Sequence, residues 1–186
     1  MKTYSKPINR LTASMRRASR VVKNWKNPVR QLEREKHVGG FDLNTILVPV
    51  DFSAGSLEAL DFAVSLAGRL GASIVLLHAL DPIHSPGRFD SPRLRPLRAQ
   101  ALQDAKRQLA TLAKRRVRPH VPVRHHVLKG VAYSVIVEAA SKAQADLIVM
   151  GSEGRTGMNR FLVGSVAEKV IRHARCPVLI ARDRTR

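Results

Sequence analysis

From residue 44 onward, short apolar runs alternate with segments whose apolar residues recur every three or four positions. The apolar runs span 45–50, 73–80, 121–128, 146–150 and 177–181. Runs of this length, rich in Val, Ile and Leu, are typical of strands buried on both faces of a sheet. The intervening segments 57–70, 94–112, 130–140 and 164–174 have the period of amphipathic helices. The alternation predicts an α/β domain with a parallel sheet and helices on both of its faces.

Single residues indicate where some of these elements begin and end. Ser53 stands before the first helical segment, where a serine hydroxyl caps free backbone amides. Gly71 follows that segment and suits the left-handed conformation of a helix C-terminus. Pro122 lies near the start of the third strand, and proline is tolerated chiefly in edge strands. The sequence therefore predicts that the third strand lies at an edge of the sheet.

The first 40 residues differ in composition from the rest. They contain 11 Lys and Arg against Glu33 and Glu35, a net charge of +9. Apolar residues from Leu11 to Leu32 recur with helical spacing, and Pro28 is expected to end or kink that helix. We interpret 1–40 as a basic, partly helical N-terminal extension and 41–186 as one globular domain, with Gly39-Gly40 as a hinge between them.

The whole chain of 186 residues carries a formal charge of +19, which favours anionic partners. Several interpretations of the extension stay open: a segment that binds nucleic acid, one that lies on an anionic membrane, a loosely docked tail, or a transit peptide. The sequence has no apolar run long enough for a transmembrane segment and no secretory signal. Its single cysteine, Cys176, is predicted to be a buried, inert thiol in the last strand. These features lead us to expect a cytoplasmic protein.

A glycine motif follows the fourth strand and points to phosphate chemistry. Gly151 ends that strand, Gly154 lies three residues later, and Gly164-Ser165 open the next helix after nine more residues. We expect Gly151 to let a ligand approach the backbone and Gly154 to turn amides toward an anion. The free amides and the dipole at the start of the helix add a site for phosphate.

This motif and four other segments resemble the universal stress protein family, in its nucleotide-binding branch. The branch has the pattern G-x2-G-x9-G-[S/T], and the resemblance covers about 43–182. Its other marks are Ile46 to Asp51, Leu77-His78, Asp146 to Ser152, and the run from Gly164 to Glu168 that leads to Cys176-Pro177-Val178.

The resemblance implies a doubly wound five-stranded parallel sheet, like that of the adenine nucleotide alpha hydrolases. It also implies a homodimer in which the last strand, 177–182, pairs antiparallel with its copy. The implied ligand is ATP, or ADP or AMP, with Mg²⁺ as a companion ion. The residues implied to hold the adenine, the ribose and the phosphates are Pro49, Val50, Asp51, Ala79, Met150, Gly151, Gly154, Gly164, Ser165 and Val166.

Two positions depart from the family's pattern. Glu153 places a carboxylate near the expected phosphates, which is repulsive unless the side chain turns away or holds a metal. Ala167 lacks the hydroxyl that some nucleotide binders have there. Arg155 and Arg160 are expected to offset both losses, with Arg155 as a further phosphate contact.

Three functions remain in competition. The first is a regulatory stress-response module that binds a nucleotide and hydrolyses it slowly or not at all. The second is a metal-dependent ATP hydrolase in which Asp51 or Glu153 assists the metal. The third is a nucleotide-sensing adaptor whose basic tail binds nucleic acid or membrane. The chain has no G-x-x-x-x-G-K-[S/T] loop, and His78, His125 and His126 are interpreted as structural or surface residues.

Overall fold

The computed structural model describes residues 42–80, 95–152 and 163–181, and in them strands and helices alternate. The elements are β1 (Thr45–Pro49), α1 (Ala54–Leu70), β2 (Ser73–Leu80), α2 (Arg95–Arg116), β3 (Val123–Lys129), α3 (Ala132–Ala143), β4 (Leu147–Gly151), α4 (Ser165–His173) and β5 (Val178–Ala181). The predicted basic extension and its helix lie outside the described residues. Nowhere in the described ranges is a helix both long enough and apolar enough to cross a membrane.

The five strands form one parallel sheet in the order β3-β2-β1-β4-β5. The doubly wound α/β fold is therefore confirmed, and so is the edge position of β3. All five residues of the central strand β1 are buried. From β1 the chain adds β2 and β3 on one side, then returns to add β4 and β5 on the other. The winding direction thus reverses between β1 and β4, which is where sheets of this kind bind ligands.

Alternate residues of each strand point to opposite faces of the sheet and build two separate cores. Ile46 and Val48 of β1 face α1 and α2, whereas Leu47 faces α3 and α4. All three side chains are fully buried. Each apolar side chain of this size stabilises the fold by about 1.5–3 kcal/mol when it leaves water. The apolar strand runs of the sequence are thus explained by burial on two sides.

Helix α1 begins and ends as predicted. The Ser53 hydroxyl accepts the N–H of Ser56, and Gly71 adopts the left-handed conformation (φ 69°) with its N–H bonded to the Ala67 carbonyl. Most other boundaries differ from the prediction by one to three residues, and two of the differences concern β3 and α2. Strand β3 begins at Val123 rather than at residue 121, because Val121 belongs to a turn in which its N–H bonds to the Arg118 carbonyl. Helix α2 continues to Arg116, one turn beyond the apolar pattern.

Cys176 lies in the turn before β5 and is half-buried, so its predicted place inside a buried strand was wrong. Burial raises the pKa of its thiol, and the Asp146 carboxylate raises the pKa further, whereas a backbone hydrogen bond at Cys176 lowers it. The thiol form therefore predominates near neutral pH, which agrees with the expected low reactivity. Asp146 also fastens the start of β1, since its Oδ2 accepts the N–H groups of Asn44 and Thr45 at 2.9 Å each.

Candidate functional site

The carboxyl ends of β1 and β4 lie side by side at the point where the winding reverses. The chain leaves β1 toward α1 on one face of the sheet and leaves β4 toward α4 on the other. In folds of this kind, such a divergence is where a ligand crevice forms above the two strand ends. Of the predicted site residues, Pro49, Val50 and Asp51 lie at one lip of the crevice and Met150 and Gly151 at the other.

Asp51 is held in place by the turn that leads into α1. Its Oδ1 accepts both the backbone N–H of Ser53, at 3.0 Å, and the Ser53 hydroxyl, at 2.5 Å. The Ser56 hydroxyl donates to the Ser53 carbonyl at 2.9 Å and so closes the same turn. Phe52, between Asp51 and Ser53, has a φ of 66°, a conformation rare for a bulky side chain. The carboxylate is therefore fixed at the mouth of the crevice at the cost of local backbone strain.

His78 is part of this site, although the sequence analysis gave it only a structural or surface role. Its Nδ1 lies 2.7 Å from the carbonyl oxygen of Val50, which must accept, so Nδ1 carries the proton. The imidazole is buried and lies against the Phe52 ring, with the two centroids 4.7 Å apart. His78 thus ties the end of β2 to the end of β1. The sequence signal was its place one residue before Ala79 at the end of a buried strand.

A cleft of about 640 Å³ opens beside these residues, between the strand ends and α2. Asp51, Phe52, Ser53 and His78 form one wall; Leu80 and residues of α2 form the remainder: Ala101, Asp104, Ala105 and Gln108. Among the predicted binding residues, Asp51 is the one that lines this cleft. The side chains of Ala79 and Met150 pack instead into the core on the α3 and α4 face, because strand residues alternate between faces.

The start of α4 lies against the end of β4. The N–H of Gly164 donates to the Ser152 carbonyl at 2.8 Å, and the N–H of Ser152 donates to the Ala181 carbonyl at 3.1 Å. Gly164 is the N-cap, and no side chain in the described part of the chain caps this helix. Ser165 and Val166 are exposed in its first turn. No side chain of the described residues therefore occupies the first-turn amides, and amides of this kind together with the helix dipole attract anions.

Ala167 is buried in this same turn, at 3% exposure, and packs into the core. A hydroxyl at this position would need a hydrogen-bond partner within that core. The departure from the family pattern thus has a packing consequence: position 167 holds the helix on the sheet. Its neighbours Ser165 and Val166 are exposed.

The structure gives Gly151 a different role from the one predicted. A Cβ atom at this position would lie 2.8 Å from the carbonyl carbon of Gly55 and 2.9 Å from its oxygen. Real side chains do not come that close to backbone atoms, so the absence of a side chain lets the end of β4 pack on the first turn of α1. The space that Gly151 leaves is filled by Gly55 of the protein rather than kept open for a ligand.

The remaining predicted residues, Gly154 and Arg155, lie outside the described residues, as does Glu153. Within the described ranges, no group of three or more His, Cys, Asp and Glu side chains could hold a metal ion. Mg²⁺ commonly binds through one or two carboxylates together with phosphate oxygens and water. In this crevice Asp51 fits that requirement, with the other ligands coming from a nucleotide and solvent.

The chain matches the model of the universal stress protein family over residues 43–182. A relative named as a universal stress protein of Methanocaldococcus jannaschii, MJ0531, is 36% identical over 144 residues, which cover 74% of this chain and 81% of the relative. The solved structure of MJ0577, a universal stress protein of the same organism, is similar with a TM-score of 0.70 and 26% identity, covering 78% of this chain and 99% of that one.

A further solved structure, described as a universal stress protein in complex with cAMP, has a TM-score of 0.50 and 26% identity, with 76% of this chain and 98% of that chain covered. The family match spans every described element of the fold, from β1 to β5. The agreement in sequence therefore covers the whole of the described sheet, including the ends of β1 and β4. This chain belongs to the universal stress protein family.

Proposed function

We propose that this chain binds an adenine nucleotide, ATP or ADP or AMP, and acts as a regulatory protein of the stress response. The observation that supports this most is the reversal of winding between β1 and β4, with the Asp51 carboxylate fixed after β1 and the start of α4, which no side chain of the described residues caps, after β4. The first group suits a ribose and the second suits a phosphate. The cAMP complex of a similar structure supports adenine nucleotides as the ligand class.

The spacing of the strands fits a nucleotide that lies across the carboxyl ends of β2, β1 and β4. The cleft lies beyond β2, the Asp51 turn beyond β1, and the start of α4 beyond β4. Adjacent strands are about 4.8 Å apart, so the span from β2 to β4 is about 10 Å. This is comparable to the reach from a base to its first phosphates. We therefore place the adenine in the cleft, the ribose at Asp51 and the phosphates at Gly164, Ser165 and Val166.

The chemistry of the cleft agrees with this placement. Phe52, Leu80, Ala101 and Ala105 offer apolar contacts for the faces of a base, and His78 adds a flat ring. The Oδ1 of Asp51 already accepts two hydrogen bonds from Ser53, which holds the carboxylate as an acceptor for a ribose hydroxyl. These are features of a binding site, so we infer that any hydrolysis of ATP is slow.

Titration with ATP and Mg²⁺, followed by amide hydrogen exchange, tests the proposal. We expect saturable binding and slower exchange at Ser165, Val166 and Ala167 when ATP is bound. Helix α3 provides an internal control, because its N-cap, Val131, also lacks a capping side-chain bond but lies beyond the edge strand β3. Equal protection of both helix starts, or no saturable binding up to millimolar ATP, would refute the proposal.

We also propose that the chain forms a homodimer through β5. This strand pairs with β4 and ends the sheet on that side, and its four apolar residues are each half-buried. The carbonyls of Pro177 and Ala181 accept N–H groups from β4. Backbone groups alternate along a strand, so those of Val178 and Ile180 point outward. An exposed edge of this kind favours pairing with a second copy.

A proline at an outward-facing position tests the dimer. Ile180→Pro removes an N–H from the open edge while the bonds to β4 remain, so we expect a predominantly monomeric protein in light scattering at a concentration where the wild type is dimeric. His125→Pro is the matched control, since it makes the same change at an outward-facing position of the other edge strand, β3. A dimer that tolerates Ile180→Pro as well as His125→Pro does not use this edge.

A further inference from the structure

The positive charge of the globular part is concentrated in one segment of the chain. Residues 41–186 have a net charge of +10, and the segment 95–129 alone contains ten Lys and Arg against one acid, Asp104, for a net charge of +9. The rest of the globular part is nearly neutral. All of this segment lies within the described residues and consists of α2, the turn after it and the edge strand β3. We call it the α2–β3 basic surface.

Most cationic side chains of α2 are exposed to solvent. The helix buries Ala105, Leu109 and Ala113. At 100° per residue, Arg107 and Lys114 lie on the side of the helix opposite that stripe, and both are exposed. In the last turn, Arg116 forms an ion pair with Asp61 of α1. The other exposed cations of α2 are therefore accessible to an anionic partner.

Strand β3 and the turn before it extend this positive surface. Arg118, His125 and Lys129 are exposed, and β3 is the edge strand on which α2 packs. The pKa of the nearby His126 is lowered by burial and, to a smaller degree, by the charges of Arg124 and His125. Positive groups are thus close enough to act on one another in this region.

Few of these charges are used inside the described structure. Arg107 pairs with Asp104, and Arg116 pairs with Asp61. Lys106, Lys114, Arg115 and Arg118 have no carboxylate partner among the described residues. The helix dipole favours cations in the last turn, by about 0.3–1 kcal/mol each. That accounts for Lys114 to Arg116 but leaves Lys106 and the turn and strand residues unexplained.

The surface lacks the apolar residues that would favour a membrane. Between 98 and 130 none of the large hydrophobic side chains is exposed; the nearest exposed ones are Leu97 and Val131, at the ends of the segment. A surface helix that binds lipid has an apolar face to insert, whereas a partner bound through charge alone must itself be a dense row of negative groups. Duplex nucleic acid carries about one phosphate charge per 1.7 Å of its axis and so meets this requirement.

We propose that the α2–β3 basic surface binds the phosphate backbone of double-stranded nucleic acid. The first half of α2 lines the proposed nucleotide cleft, whereas the end of this surface at Lys114 and Arg118 lies away from it. Asp104 lines the cleft at the carboxyl end of the sheet. Lys114 and Arg118 follow it by 10 and 14 residues, and the chain between them runs toward the opposite end of the sheet. At 1.5 Å per helical residue the separation is about 15 Å or more. One molecule can hold both ligands at once.

Salt-dependent binding of the full chain to a short, fluorescein-labelled DNA duplex of mixed sequence tests this proposal. The test variant combines Lys106→Gln, Lys114→Gln, Arg115→Gln and Arg118→Gln. We expect its affinity near physiological salt to fall about tenfold or more. We also expect the slope of log K against log[salt] to become shallower by about 2 to 3, because each lost phosphate contact contributes about 0.9.

A second variant removes the same number of charges from the N-terminal extension: Lys2→Gln, Lys6→Gln, Arg10→Gln and Arg16→Gln. We expect the fold reduction in its affinity to be at least threefold smaller than the fold reduction in the α2–β3 variant. A third, charge-retaining variant exchanges Lys and Arg at positions 106, 114, 115 and 118, and is expected to bind like the wild type. Circular dichroism melting of each variant shows whether the fold is kept.

Several outcomes would overturn the proposal. One is a wild type that does not bind the duplex at low salt. Another is an equal loss in the two neutralised variants, which would mean that net charge alone attracts the duplex. A third comes from vesicles of phosphatidylcholine with phosphatidylserine: if the α2–β3 substitutions weaken binding to these vesicles but leave duplex binding intact, the surface is a membrane contact.

Discussion

Gly151→Ala is expected to destabilise the protein by about 3 kcal/mol, the upper part of the range for overpacked sites. The new methyl group would lie 2.8 Å from the carbonyl carbon of Gly55, and backbone atoms cannot move aside as the end of a side chain can. Either the end of β4 or the first turn of α1 must shift. Thermal unfolding measures the effect, and for a domain of this size we expect Tm to fall by about 6–12 °C.

The matched control is Gly71→Ala. Gly71 has a φ of 69°, so alanine is strained there, but no other atom lies within 4 Å of its Cβ position. The control therefore measures backbone strain without a clash, and we expect it to cost about 1 kcal/mol. If Gly151→Ala unfolds at the same temperature as Gly71→Ala or higher, the close approach of β4 and α1 does not constrain the fold.

Asp51→Ala is expected to weaken ATP binding by about 30-fold, as calorimetry would show. Hydrogen bonds to a charged group contribute about 1.5–3 kcal/mol, which is a factor of about 10 to 100 in affinity. Alanine removes the proposed ribose contact and also the turn in which Oδ1 accepts from Ser53. Asp51→Asn keeps a side-chain oxygen for Ser53 but removes the charge, so we expect a smaller loss of about tenfold.

Asp61→Asn provides the control for charge, since it removes one carboxylate from the surface of α1, where Asp61 pairs with Arg116. We expect its affinity for ATP to equal that of the wild type. Should Asp51→Asn also bind ATP as the wild type does, the carboxylate is required for the turn alone, and the ribose must be held by other groups. A loss in Asp61→Asn equal to that in Asp51→Asn would indicate a general effect of charge.

Much of the fold could be predicted from the sequence, because its main signals are local. Ile46, Leu47 and Val48 form an apolar run because β1 is covered on both faces, and such a run is recognisable without knowing what covers it. Ser53 and Gly71 act within one turn of the helix whose ends they fix. Pro122 predicted the edge position of β3 for a similar reason, since proline lacks an N–H.

The parts that escaped prediction depend on contacts between distant residues. The hydrogen bond from His78 to Val50 spans 28 positions, so the sequence around His78 marked the residue but did not indicate its partner. The contact of Gly151 with Gly55 joins the end of β4 to the start of α1. The motif located Gly151 correctly, but the position requires a glycine because of this contact. Helix α2 continues for one turn beyond its last buried residue, Ala113, and that turn carries Lys114, Arg115 and Arg116. The apolar pattern therefore did not indicate where the helix ends.

The candidate site was predicted by resemblance more than by local pattern. Asp51 lies in the turn after β1, and Gly164 and Ser165 lie at the start of α4 beside the end of β4; their part in binding stays a prediction. The side chains of Ala79 and Met150 face the core on the α3 and α4 side of the sheet. The face to which a strand residue points depends on its exact position in the strand, which is not apparent from the sequence. The cleft wall formed by α2 was not predicted at all, since Ala101 and Ala105 belong to an otherwise ordinary helical stripe.

The central position of β1 has a consequence for synthesis on the ribosome. Its partners β2 and β4 are separated in the chain by more than 60 residues, so β4 and β5 are made well after β2 and β3. A nascent chain that ends near residue 143 therefore exposes one side of β1 as an unpaired apolar edge, the kind of surface that pairs with other chains. Release of the chain before β4 and β5 emerge would favour aggregation, so translational pausing or truncation between β3 and β5 endangers the folding of this protein.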